Sequence, residues 1–127
     1  MELDIADRLN ILGAELSFIG EGLAVLAARM AAKQKLEQNV ERKKQLDEEA
    51  TELNRISNWI IFLGDSTSLY AAELVAQENI VEISNNEIKL EATNLNLLSG
   101  WLNVLGDAFA IQAQALEEIS ENDTTVP

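Results

Sequence analysis

Apolar residues recur along most of this chain at alternating steps of three and four, the spacing of one face of an α-helix. They fall first at Leu9, Leu12, Leu16, Ile19, Leu23 and Leu26. A second series runs Leu53, Ile56, Ile60, Leu63, Thr67, Tyr70 and Leu74, and a third Leu95, Leu98, Leu102, Leu105, Phe109, Gln112 and Leu116. The one proline is Pro127, so proline breaks no helix within the chain. Alternation with period two is nearly absent. The pattern predicts an all-α fold.

The second and third series belong to an internal repeat. Residues 49–74 and 91–116 agree at 12 of 26 positions, and a weaker first copy runs from Leu9 to Glu21. The offset of 42 residues is six heptads, which keeps the apolar seam in phase between copies. Pairing the copies antiparallel through Gly20, Gly64 and Gly106 puts the turns near residues 42 and 85, in the most polar parts of the interior. The expected fold is an antiparallel bundle of three long helices, 3–37, 43–83 and 87–120, with the glycines in one central layer. The alternative is four or more shorter helices broken at Gly20, Gly64 and Gly106. Residues 1–119 form one helical-bundle domain in this reading, and 120–127 a frayed acidic tail.

Heptad positions then divide the repeat. With Leu53, Ile60 and Thr67 at a, and Ile56, Leu63 and Tyr70 at d, the large aliphatic residues face the core. Trp59 and Trp101 flank it at g, Gly64 and Gly106 at e, and Asp65 and Asp107 face solvent at f. The segment Trp59-Ile60-Ile61-Phe62-Leu63 covers every side of a helix, and three helices alone cannot bury it. Phe18, Phe62 and Val104 share the outward c position. The candidate interface is therefore Phe18, Trp59, Ile61, Phe62, Trp101 and Val104, and the expectation is a homo-oligomer, most simply a dimer.

Charge and composition narrow the chemistry. The 127 residues suit one domain, and 22 acids against nine bases give a formal net charge of −13, which opposes binding to nucleic acid. Seven of the nine basic residues lie in 29–55, around the expected first turn, where a solvated helix end explains them. Neither cysteine nor histidine occurs, which removes disulfides, thiolate and imidazole metal sites, and Cys- or His-based triads. Glu21, Asp65 and Asp107 follow the three glycines but point apart at f positions, so no metal or other cofactor is expected. No acid occupies an a or d position of the repeats, and Tyr70 reads as core, so the chain is not expected to be an enzyme. The acidic start Met1-Glu2-Leu3-Asp4 is unlike a signal peptide, and no run of about 18 uncharged apolar residues occurs. No membrane span is expected, and the default location is cytoplasmic.

The recurring Trp-(Ile/Leu)-x-x-x-Gly element, at Trp59–Gly64 and Trp101–Gly106, resembles small repetitive helical proteins of unknown function from spore-forming Gram-positive bacteria. The resemblance covers residues 53–69 and 95–111 best, and Glu15 stands where the first copy lacks tryptophan. It implies a helical fold and transfers no activity. Secreted helical-hairpin proteins named for Trp-x-Gly differ, because Trp59 precedes its glycine by five residues. The functional expectation is a non-enzymatic structural or protein-interaction module that self-associates through exposed apolar helix faces. The alternative is a binding module for an apolar ligand or partner helix, in a groove lined by Trp59, Phe62 and Trp101.

Overall fold

Asp4 starts the first helix: its carboxylate accepts the backbone N–H of Asp7 at 2.8 Å. In the computed structural model, which describes residues 3–122, four helices follow in order. They are α1 (Ile5–Leu36), α2 (Val40–Glu78), α3 (Ile80–Ser84) and α4 (Glu87–Asn122), and no strand occurs among the described residues. All six glycines lie inside helices, none at positive φ. Breaks at Gly20, Gly64 and Gly106 are thus excluded. α4 runs through Asn122, into the expected tail, whose remainder lies outside the described residues.

The turns are set by asparagine. Asn39 caps α2 by accepting the N–H of Arg42 at 3.0 Å, so Arg42, Lys43 and Lys44 belong to the start of α2. The first turn therefore lies at residues 37–39, ahead of the expected residue 42. Asn79 ends α2 before the expected residue 83. Its amide donates to the Val75 carbonyl at 2.9 Å and its backbone leaves the helical region (φ −108°, ψ 19°). The short α3 then lays Ile83 in a buried position, and Asn86 accepts the N–H of Lys89 at the head of α4. A Lys89–Glu82 ion pair ties α3 to α4.

α1 and α2 form an antiparallel hairpin whose buried seam is made of small residues. On α1 the buried positions are Ala6, Gly13, Gly20 and Ala27, each seven residues from the next. On α2, Ala50, Ser57, Gly64 and Ala71 share that spacing. Gly13 faces Gly64: a Cβ on either would lie 2.7 or 2.8 Å from the other's carbonyl oxygen. Gly20 faces Ser57, whose hydroxyl donates to the Gly20 carbonyl at 2.7 Å. The same register sets Ala6 against Ala71 and Ala27 against Ala50, and centres the hairpin on Gln38–Asn39. Missing side chains let the two backbones approach so closely that no Cβ fits between them at Gly13 or Gly64.

The expected core is thus displaced by one helical position. The sequence pattern sets Leu53, Ile56, Ile60 and Leu63 at the centre, with Gly64 on the flank and Gly20 opposite Gly64. In the structure Gly64 is central and its partner is Gly13, while Leu53 and Ile60 flank the seam half buried and Ile56 and Leu63 are exposed. Close backbone approach shifts the line of contact onto the smallest residues and pushes the large ones outward.

α4 lies antiparallel on α2 and reaches it through Thr93, Leu97, Gly100, Val104, Asp107, Ile111, Gln114 and Glu118, its half-buried or buried positions. A Cβ on Gly100 would lie 2.8 Å from Leu69 of α2, and the Asn58 amide donates to Gln114 at 2.9 Å. No Cα of α1 lies within 8 Å of α4 among the described residues. The arrangement is an open layer, α1 on α2 and α4 on another side of α2, in place of a core shared by three helices.

Candidate functional site

One polar chain crosses the whole layer. Ser17 of α1 donates to Asp65 of α2 at 2.8 Å, and Asp65 stands beside Asp107 of α4. Both aspartates are half buried, which corrects their expected solvent-facing placement. The α2–α4 register brings them together, because seven-residue steps carry Asn58, Asp65 and Ala72 along one line opposite Gln114, Asp107 and Gly100. Oδ2 of Asp107 is buried with no hydrogen-bond partner. Burial, then the hydrogen bond and charge of Asp65, push the Asp107 carboxyl up to about 6. Glu21 is exposed on α1, and among the described residues no group of three or more Asp or Glu side chains is placed to hold a metal ion.

The six candidate interface residues divide. Phe18 is 77% exposed, and Trp59 and Trp101 are about half exposed. Ile61, Phe62 and Val104 are half buried within the chain. Ile61 lies over Gly20, its Cγ1 2.6 Å from where a Cβ would stand. Phe62 packs edge-to-face on Trp59, centroids 6.0 Å apart, in the α2 stripe whose next member is Leu69. Val104 is on the side of α4 turned to α2. The indole N–H of Trp101 donates to Glu73 at 3.1 Å. Glu73 is 14 residues beyond Trp59, about 21 Å along α2, so the two tryptophans do not frame one groove. Two grooves of about 320 and 310 Å³ open between α2 and its neighbours, one lined by Ala24, Ala28, Asn54 and Gln114, the other by Ala6, Val75, Ile83 and Leu97. Neither is lined by Trp59, Phe62 or Trp101. Tyr70 is exposed and does not belong to the core.

The largest uncovered feature is the leucine series itself. On α4, Leu95, Leu98, Leu102, Leu105, Phe109 and Leu116 point away from α2 and are between 47% and 67% exposed. On the hairpin, Leu12, Ile19, Leu26, Ile56, Leu63 and Tyr70 are exposed as well. A folded 14.0 kDa monomer exposes roughly 6,700 Å², and this chain exposes 9428 Å². Sequence periodicity found these residues and assigned them to an internal core. α1 also contains an 18-residue window of mean hydropathy 1.6, long and apolar enough to cross a membrane by length and composition, and only 17% of that window is buried. Glu15 and Glu21 are exposed on the same helix.

Comparison of the chain with protein-family models, with curated proteins and with solved structures gives no match.

Proposed function

We propose that the chain is a non-enzymatic structural or protein-interaction module, one layer of a helical bundle that a second copy completes. The observation that carries this reading is the outward leucine series of α4, an apolar ridge with no partner among the described residues. At about 25 cal/mol per Å², leaving six large apolar side chains in water forfeits much of what burial can contribute. The excess of surface over a monomer of this mass is on the order of 2,700 Å². An elongated layer accounts for part of that excess, and a standard interface takes about 800 Å² from each partner. The three-helix bundle read from the sequence is, in this proposal, a property of the assembly. Light scattering of the full chain at micromolar concentration should give the mass of a dimer or larger, and a monomer there overturns the reading.

The hydropathy of α1 favours one second reading, a membrane-embedded hairpin. Against it stand Glu15 and Glu21, since an acidic side chain at a bilayer centre costs about 2.5–3.5 kcal/mol, and the acidic net charge, which repels anionic lipid. Flotation of the chain with lipid vesicles, from a sample that is monomeric without them, would favour the membrane reading.

A further inference from the structure

The small-residue seam that joins α1 to α2 occurs again without a partner. Ala50, Ser57, Gly64 and Ala71 on α2 recur 42 residues later as Ala92, Ser99, Gly106 and Ala113 on α4. The first four are buried against α1, and the second four are all exposed. A Cβ on Gly64 would strike the Gly13 carbonyl at 2.8 Å, and one on Gly106 would meet nothing within 4 Å. The large residues beside the seam correspond too: Leu95, Leu102 and Leu116 stand where Leu53, Ile60 and Leu74 are half buried alongside α1. This side of α4 is distinct from the Gly100–Asp107–Gln114 side that docks on α2. One repeated surface is therefore seen twice in a single chain, once gripping a helix and once bare.

We infer that this face of α4 is a homodimer interface, in which the α4 helices of two copies pack antiparallel as α1 packs on α2. The inference rests on the self-association proposed above and assigns its surface. The occupant is a second α4 because the matching seam of α1 is already engaged within its own chain. The α4 seam is also complementary to itself. About a two-fold axis between Leu102 and Asn103, Ala92 meets Ala113 of the second copy, and Ser99 meets Gly106 of the second copy. The order Ala–Ala, Ser–Gly, Gly–Ser, Ala–Ala nearly repeats the Ala–Ala, Gly–Gly, Gly–Ser, Ala–Ala order between α1 and α2. Ser99 then donates to the Gly106 carbonyl across the interface as Ser57 does to Gly20. Such an isologous contact closes at two copies and covers Leu95, Leu102, Phe109 and Leu116.

Two variants test this. A Cβ at Gly106 meets no atom within 4 Å, so helix content of Gly106→Leu should hold, while two bulky side chains enter the interface and weaken dimerisation on the order of a hundredfold. Asn103→Cys places a single thiol beside the axis in a chain without cysteine. A short bis-maleimide should then link two copies, far faster than it links an exposed Glu21→Cys control. Failure of both variants, with wild-type chain still a dimer, overturns this interface and leaves self-association standing. A monomeric wild-type chain overturns both. If Gly106→Leu lowers helix content, the Asn103→Cys result decides alone.

Discussion

The hydroxyl of Ser57 donates to the carbonyl of Gly20 at 2.7 Å across the α1–α2 seam, and Ser57 is fully buried. Its position defines the hairpin, since a side chain any larger holds the helices apart. Ser57→Ala should cost about 1 kcal/mol, the worth of one neutral hydrogen bond. Ser57→Leu should cost at least about 3 kcal/mol by overpacking. Urea denaturation midpoints of the two variants check the ratio.

The two repeat copies of one glycine should respond oppositely to one substitution. At Gly64 a leucine runs into Ser17 and Gly13, and should destabilise the chain by about 3 kcal/mol or more. At Gly106 a leucine enters open space and gains about 1 kcal/mol of helix propensity. Thermal melts at concentrations where each variant is monomeric separate the two.

Protonation of Asp107 gives the fold a pH dependence of definite sign. The folded carboxyl titrates at about 6 and an unfolded aspartate near 3.9. Between those values the native state holds more protons, so this contribution falls as pH rises. It is fully present below about 3.9 and lost as pH passes through 6. Asp107→Asn should therefore become more stable relative to wild type as pH rises from 4 to 7.5. Denaturation midpoints of both proteins across that range check this, and parallel curves would contradict it.

The leucine series of α4 should tolerate charge within one chain and not between chains. Leu102 and Phe109 are 59% and 67% exposed, so Leu102→Lys and Phe109→Lys should shift the stability of the isolated chain by about 0.5 kcal/mol or less. Both should lower the assembled mass. Ile61→Lys should unfold the hairpin instead, since Ile61 covers Gly20. Circular dichroism and light scattering on the three variants distinguish these outcomes.

Much of the fold was legible in the sequence. Three-four spacing gave the helical class, antiparallel pairing of the glycines placed helices at 3–37, 43–83 and 87–120, and the structure differs from these mainly where Asn39 and Asn79 cap or interrupt a helix. The polar stretches at residues 37–44 and 84–87 favoured helix-internal glycines but left breaks at Gly20, Gly64 and Gly106 open, and the structure decides for the first. What periodicity could not reveal is which of two adjacent stripes faces the neighbouring helix. Hydrophobicity ranks Leu53 and Ile60 above Ser57 and Gly64, yet small residues win the contact because they let backbones meet. The signal was present as Ala, Ser or Gly, Gly and Ala at intervals of seven in all three copies. The same displacement moved Asp65 and Asp107 from solvent to the α2–α4 boundary, where the sequence gives no hint that they meet. Phe18, Trp59 and Trp101 were legible as exposed apolar residues, while Ile61, Phe62 and Val104 are half buried by neighbours that only the register defines.

Whether the leucine series of α4 joins two chains is read from sedimentation equilibrium of the wild-type chain beside Leu102→Lys, across a series of micromolar concentrations at neutral pH. Self-association through α4 gives a wild-type mass of at least two chains that falls toward one on dilution, and a Leu102→Lys mass near 14.0 kDa throughout. A wild-type mass of 14.0 kDa at every concentration would contradict it.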